Sequence, residues 1–413
     1  MRVFTFILKT KTYKNYHITL KIRESNGVFI FIETPLVIFP EEWNALTQSP
    51  INLYNETNKI LNKKLNLIKI ELAGYFLILE KTKKTVSASF IKNLITEICN
   101  NSTFEFKPES LLFYMNQYIK NRQHIIAVST YRRYIVFLNL FERFEAYLLK
   151  HIFLEDINSN LTKEFYEFGK IEKYSENTLL RSISFIRTIL NDLEKKGIST
   201  LVNQVESPKK INEQIAIVLS ENELLTIHNA VIPEPLLAAR AWLIISCYTG
   251  QRISDFMRFK TYMIQDVGGC RCLSFIQQKT KRKILLPIHP VVEEVLSRNK
   301  NDFPTKISIE KYNAQIKEIV KKVGINDHVT VNIRQGHRSS HMTVPKWKAV
   351  TSHIGRRSFA TNFYGKIPTS LLIEVTGHST EAMFQKYVNR LNEEHIKELS
   401  IYFHSTHKKN SQS

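Results

Sequence analysis

The sequence predicts a multidomain, mainly α-helical protein, with a small β-sheet domain at the N-terminus and a second small β-sheet inside an α-rich C-terminal unit. Three observations predict it. The chain has 413 residues, too many for one ordinary core, and an apolar share of 43% that supports several compact units. Apolar spacing changes from period two, before residue 35, to helical period after about 105. A polar, aperiodic stretch containing Pro208 then separates the helical middle from a third unit.

Each element has a local signal. HITLKIR (17–23) and VFIFIET (28–34) alternate and flank Asn26-Gly27, a strong hairpin turn, so residues 1–95 are expected to form a small twisted sheet domain. The first 23 residues carry six basic side chains (Arg2, Lys9, Lys11, Lys14, Lys21 and Arg23) and no acid, which gives part of that sheet a positive field. A DNA-contacting sheet and a merely soluble one are both open at this point. Residues 105–197 read as a helical domain, with Ser129 and Ser175 placed as N-caps of two helices and Gly197 closing the second. Arg132, Arg133, Arg181 and Arg187 are interleaved there with aromatics, whose helical spacing equally suits a core.

Residues 198–214 are the expected linker, and residues 215–405 the third unit, followed by a tail at 406–413. The unit opens with a capping-box pattern, Ser220 to Glu223, and a second helix, PLLAARAWLIISCYT, stops at Gly250. CLSFIQQ and KILLPI look like two strands joined by a turn at Lys279–Arg282. Helices return after 350, with Gly365 as a stop and Pro368 in a first turn. The segment LNEEHIKELSIYFHS after 391 is amphipathic and needs an apolar partner.

Charge narrows the function. Lysine and arginine number 58 against 38 acids, a formal charge of +20, which makes nucleic acid the first candidate partner, although ribosome- and membrane-surface proteins share such a balance. Four irregularly spaced cysteines argue against a disulfide framework and for a reducing, cytoplasmic setting. The opening apolar run is broken from Lys9 and has no small-residue cleavage site, and no stretch of 18 apolar residues occurs, so neither a signal peptide nor a membrane partner is expected.

The 46 residues from His328 to Ile373 hold seven lysines and arginines and no aspartate or glutamate, as a surface held against phosphates would. Within them His353 and Arg356 share one helix face. An ordered set of motifs is more specific: YTGQRISD (248–255), QQKTKRKILLP (277–287), SHIGRRSFAT (352–361), TGHS (376–379) and QKYV (385–388). In residue type and order this resembles the tyrosine recombinase, or phage integrase, family, and the likeness covers residues 212–405. The N-terminal sheet and helical middle look like the arm-binding and SAM-like core-binding domains of integrases from bacterial mobile elements.

The resemblance implies a site-specific DNA recombinase that works through a 3′-phosphotyrosine intermediate, with no metal or other cofactor. Arg252 and Arg356 would grip the scissile phosphate, a task suited to a planar, always charged fork. Lys279 would protonate the leaving 5′ oxygen, His353 and His378 would hydrogen-bond the phosphate or assist proton transfer, and Tyr387 would be the nucleophile. Asp255 would buttress the surroundings of Arg252. Lys9, Lys11, Arg132, Arg133 and Arg181 are the candidate DNA contacts outside the catalytic unit. The implied partners are double-stranded DNA, three further copies of the chain in a homo-tetramer on DNA, and a host DNA-bending protein.

Each residue alone has a bland reading, such as a turn lysine for Lys279 or a core ring for Tyr387; the set in order favours the chemistry. A type IB topoisomerase and a non-catalytic DNA-binding regulator are the competing classes. Gly355 stands where the family usually has leucine, so the helix carrying His353 and Arg356 is expected to begin less firmly. His337 and His341 fall at helical spacing but lack a third ligand, and Cys270 and Cys272 read as small packing residues; neither pair suggests a metal site.

Overall fold

A computed structural model describes residues 3–10, 16–24, 27–53, 55–101, 105–206, 216–335 and 338–388. It divides into two compact units, residues 1–211 with 334–339, and residues 212–333 with 340–413.

The first unit opens with an antiparallel sheet in the order β1 (Val3–Thr10), β2 (Tyr16–Arg23), β3 (Phe29–Ile38). The hairpin expected at Gly27 is present, with that glycine at φ +87°. Alternation sends Ile18, Leu20, Ile22 and Ile32 into a core, while Phe29 and Phe31 stay exposed on the other face. On that face the Lys9 ammonium stands 4.4 Å from the Phe31 ring centre and that of Lys21 stands 4.2 Å from Phe29. A short ribbon follows, β4 (Trp43–Asn44) with β5 (Ser49–Pro50).

The sheet reading does not extend to residue 95. Two helices, α1 (Glu56–Thr82) and α2 (Ala88–Asn100), cover the sheet's apolar face. Their signal was present in the sequence: Asn55 caps α1 by accepting from the Thr57 amide, and Leu61, Leu65, Ile68, Leu72, Phe76 and Leu79 recur at helical spacing.

Four helices form the middle of the chain, α3 (Leu111–Arg122), α4 (Val128–Leu148), α5 (Ser159–Ile171) and α6 (Glu176–Glu194), around a core rich in stacked rings such as Phe141 on Phe165. Ser175 caps α6 as expected. Ser129 does not cap α4: the helix starts two residues earlier than that cap implies, Ala127 is the N-cap, and the first turn is closed by backbone groups alone. Nor does the chain become a free linker at 198, because Val202 and Val205 are buried in this helical core.

In the second unit the helices α7 (Glu221–Asn229), α8 (Glu234–Thr249) and α9 (Ile253–Phe256) precede a three-stranded antiparallel sheet, β6 (Ile264–Val267), β7 (Cys270–Ile276) and β8 (Lys283–Pro287). Then come α10 (Pro290–Arg298), α11 (Ile309–Lys322), the paired strands β9 (His328–Gln335) and β10 (Arg338–Pro345), whose residues 334–335 and 338–339 belong to the first unit, and α12 (Lys346–Ala349), α13 (Ile354–Phe363), α14 (Thr369–Thr376) and α15 (Glu381–Gln385). Ser220 and Glu223 make the reciprocal capping box on α7. Helix α8 is apolar on all sides, from Ala239 through Trp242, Leu243, Ile244 and Ile245 to Cys247, and is accordingly the buried axle of the unit.

Helix α13 packs directly on α8, and Gly355 is the reason it can. A Cβ at Gly355 would lie 2.1 Å from Ser246 Oγ and 2.8 Å from the Ser246 carbonyl carbon. The glycine therefore sets the approach of two helices; a leucine at this position would have no room. Other expectations also change. His341 lies on β10 and its Nδ1 meets Asn332 Oδ1 at 2.8 Å, so no helix places it for metal binding, and His337 lies outside the described residues. Cys272 is buried, whereas Cys270 is exposed. The amphipathic segment after 391 lies outside the described residues.

Gly355→Ala should lower the unit's stability by about 1–3 kcal/mol, the usual cost of forcing a group into packed structure. A urea unfolding midpoint equal to that of the unaltered chain would show that the helices separate at no cost and that the close approach is not required.

Candidate active site

Helix α8 ends at Gly250, whose φ of +66° reverses the chain and whose missing side chain leaves room for Phe359; a Cβ would be 2.5 Å from that ring. Gln251 and Arg252 follow immediately, Arg252 as the extended N-cap of α9. Facing them, α13 carries Arg356, 0% exposed and one of the largest fully buried side chains of the chain. Burying a guanidinium requires that its donors be matched. Arg356 Nη1 donates to the Gly250 carbonyl at 3.0 Å, Nη2 donates to His378 Nε2 at 2.9 Å, and the guanidinium carbon lies 5.4 Å from the centre of the Tyr387 ring. Its Nε is buried with no hydrogen-bond partner.

That pairing defines the state of His378. An arginine only donates, so Nε2 is the acceptor and the ring proton sits on Nδ1, 2.8 Å from the Thr376 hydroxyl oxygen. Thr376 in turn donates to the Leu372 carbonyl. Burial, with the charges of Arg356 and Arg252, depresses the His378 pKa to about 3, so the imidazole is neutral across the physiological range. His378 is also in ring contact with Tyr387, centre to centre 4.8 Å. Tyr387 lies just past the end of α15, where its amide donates to the Phe384 carbonyl.

The cations press on one another. Burial and the neighbouring Arg252 lower the Arg356 pKa to about 10, with the pull of Tyr387 and Asp255 opposing them, and the residue stays charged at neutral pH. His353, the N-cap of α13, stands at the open edge of the site. Its pKa is lowered by desolvation first, then by Arg357, Arg356, Arg252 and Lys279. Lys279 is exposed in the turn between β7 and β8, within electrostatic reach of His353.

Behind these charges lies a polar support that the sequence reading missed. Gln277 is fully buried: its Nε2 donates to Gln251 Oε1 at 2.9 Å and to the Thr376 carbonyl at 3.1 Å, and its Oε1 accepts from Arg252 Nη1 at 3.4 Å and from the Thr280 hydroxyl at 2.5 Å. Gln251 donates to the Thr249 and Val375 carbonyls, both at 2.9 Å. Arg282 donates to the His378 carbonyl at 2.9 Å. Asp255 is 1% exposed; its Oδ1 accepts from the Gln278 amide at 2.7 Å and meets Arg258 Nη2 at 3.4 Å. It therefore braces the start of the Lys279 turn and makes no direct bond to Arg252. Arg357, also unremarked in the sequence, is half-buried beside Tyr387, and burial lowers its pKa.

The six residues expected from the motifs thus fall in one cationic cluster. The acid-free run from 328 to 373 is less available than it looked, since Lys346 pairs with Glu223 at 2.6 Å and Lys366 with Glu221 at 3.4 Å. Among the described residues no group of three or more His, Cys, Asp or Glu could hold a metal ion. Of the distant candidates, Lys9, Arg132, Arg133 and Arg181 are exposed in the first unit, and Lys11 lies outside the described residues.

The family described as phage integrase SAM-like domain matches residues 110–203, the stretch from α3 to just before Gln204. Among curated proteins none matches the chain. Solved structures do. A XerH site-specific recombinase bound to palindromic difH substrate, in a post-cleavage complex, aligns at TM-score 0.52 and 14% identity over 82% of this chain and 96% of its own. The Tn1549 transposon integrase in complex with transposon right end DNA gives 0.51 and 14% over 67% and 94%. A lambda integrase tetramer bound to a Holliday junction gives 0.50 and 15% over 92% and 94%. Residues 110–203 match a phage integrase SAM-like domain, and the chain has the fold of these solved recombinases and integrases.

The depressed pKa of His378 makes stability depend on pH with a definite sign. Unfolded, the imidazole takes a proton near pH 6.5; folded, it refuses one down to about 3. The contribution is therefore present above about 6.5 and is lost as pH falls through that window. Urea midpoints measured at pH 7 and pH 5 should differ more for the unaltered chain than for His378→Asn; equal losses in the two proteins would show that His378 is not held neutral.

Proposed function

We propose that the protein is a site-specific DNA recombinase that cleaves and rejoins DNA through a covalent bond between Tyr387 and a 3′ phosphate, and so integrates or excises a mobile element. The observation that carries this reading is the meeting of Arg356, His378 and Tyr387 at hydrogen-bond and ring-contact distance, with Arg252 beside them on the shared Gln277. Two arginines that repel each other in a partly desolvated cluster gain stability when an anion neutralises both, and a phosphodiester crossing to its pentacoordinate transition state is such an anion.

In the proposed reaction the Tyr387 oxygen bonds to phosphorus as its own proton passes to His353 or to water, the bond to the 5′ oxygen breaks, and Lys279 supplies the proton that this oxygen takes up. Arg252 and Arg356 hold the non-bridging oxygens. His378, neutral and accepting from Arg356, aims that guanidinium, while His353, its pKa depressed by the cations around it, is available to hydrogen-bond the phosphate or relay a proton. Because Tyr387 covers the fully buried Arg356, the ring must swing off the guanidinium as the phosphate enters. Attack by a free 5′ hydroxyl on the phosphotyrosine reverses the step and conserves the bond energy, so ligation needs no nucleotide cofactor.

We assign the remaining parts on the same reading. The sheet face bearing Lys9, Lys21, Phe29 and Phe31 is an arm-type DNA contact, and the exposed Arg132, Arg133 and Arg181 of α4 and α6 contact the DNA at the exchange site. Residues 1–95, 105–197 and 215–405 would then be the arm-binding, core-binding and catalytic parts. Four copies would assemble on two duplexes in the cytoplasm, with a host DNA-bending protein where arm and exchange sites must be brought together.

Nicked DNA carrying the ends of the element, incubated without divalent metal, should trap a covalent adduct on a denaturing gel, and Tyr387→Phe should abolish it. Arg356→Lys should slow adduct formation by about 10²–10³-fold, the usual effect of removing one transition-state donor. Tight DNA binding with no adduct on any end sequence would instead identify a non-catalytic DNA-binding regulator.

A further inference from the structure

We propose that Gln277 and Thr280 are positioning residues that hold the Lys279 turn in register with the phosphate-binding arginines; the inference rests on the recombinase reading above. Lys279 belongs to an exposed turn whose backbone is closed by the Gln277 amide donating to the Arg282 carbonyl at 2.9 Å and the Lys281 amide donating to the Gln277 carbonyl at 3.0 Å, with Lys281 at φ +58°. A lysine there has a long, freely rotating stem, and beside Asp255 on the Gln278 amide and Arg282 on the His378 carbonyl the turn has one further, buried connection to the rest of the unit.

The Gln277 side chain supplies that connection. It is 0% exposed, and its four hydrogen bonds tie the turn to three other places: Gln251 and Arg252 after α8, the Thr376 carbonyl at the end of α14, and, through the Thr280 hydroxyl, the residue that follows Lys279. A buried amide with every direction of bonding used in this way has one orientation, because rotating it by half a turn would aim its NH2 at the Arg252 guanidinium and its oxygen at the Gln251 and Thr376 oxygens. The close fit is enforced from the other side as well. Gly377, at φ +67°, lies so near that a Cβ would be 2.3 Å from Gln277 Oε1. Gln277 therefore places the turn carrying the proton donor, one anion-gripping arginine and the turn carrying His378 on a single rigid amide.

In the reaction, the bond from the Tyr387 oxygen to phosphorus forms as the phenol proton passes to His353 or to water, the bond from phosphorus to the 5′ oxygen breaks, and that oxygen receives its proton from the Lys279 ammonium. Misplacing the donor by an ångström slows proton transfer, while the grip on the non-bridging oxygens is unaffected. A substrate whose bridging 5′ oxygen is replaced by sulfur separates the two effects, since a thiolate leaves without being protonated.

The test is single-turnover cleavage of nicked DNA by the full chain, with Thr280→Val, Thr280→Ser and Gln277→Met compared with the unaltered protein. Thr280 is exposed, so Thr280→Val folds even if Gln277→Met does not. On the oxygen substrate Thr280→Val should be slower by about tenfold, the effect of one lost hydrogen bond. Thr280→Ser should restore the rate, and the sulfur substrate should erase the difference. Unchanged cleavage by Thr280→Val, or a deficit that persists with sulfur, overturns the proposal. Absence of any Tyr387-dependent adduct with the unaltered chain overturns the recombinase reading itself, and the two failures are told apart by that lane.

Discussion

The second unit is organised by the need to bury one charge. Arg356 is removed from water, and an unmatched guanidinium in such a place would cost several kcal/mol. Its two matched donors explain features that otherwise look unrelated. One goes to the carbonyl of Gly250, which is free to accept because α8 ends there in a left-handed turn. The other goes to a histidine that must then be neutral, and the Thr376 hydroxyl is placed to fix its tautomer. Neither bond would form if α13 stood further from α8, which is why a glycine occupies position 355.

The same charge accounts for the state in which the site rests. Arg252 is held near Arg356 by Gln277, against their mutual repulsion. The Tyr387 ring lies over Arg356 and supplies a weak π contact where an anion would supply a strong ionic one. On the proposed reading, surplus positive charge under an aromatic ring suits exchange: a π contact is weaker than an ionic one, so an anion that displaced the ring would relieve the repulsion. Phosphate binding and release of the tyrosine are on this view one event.

Much of this was legible in the sequence, and what was not has physical reasons. Arg252, His353, Arg356, His378 and Tyr387 carry charge, titration or nucleophilicity, so their types and order announced them. Gln277 and Thr376 carry none of these; a buried amide is conspicuous only once its four partners are known. The packing role of Gly355 is not legible in the sequence because helix propensity is local, whereas the constraint on it comes from Ser246 on another helix. Helix α1 was overlooked although its cap and its stripe from Leu61 to Leu79 are plain, because the hairpin signals before it extended the sheet reading too far. Ser129 shows the opposite error, a suitable cap residue in the wrong register, one residue inside a helix that backbone groups start unaided.

The contrast between Lys279 and the arginines follows from what each would do. A group that stabilises charge in a transition state gains from being rigid and dry, since fixed donors need no reorganisation as the charge develops. Arg356 meets that description, with two of its donors committed and its surface closed. A group that delivers a proton must meet a leaving oxygen whose position changes as the bond breaks, and it must be charged beforehand, which favours solvent contact. Lys279 lies exposed at the tip of a two-strand turn, and the chain fixes the base of that turn and leaves the ammonium outside. On the proposed reading, rigidity lies two residues before and one residue after the lysine that would give the proton, in the Gln277 amide and the Thr280 hydroxyl bonded to it. A lysine packed as tightly as Arg356 would lose its proton to desolvation before the reaction could use it.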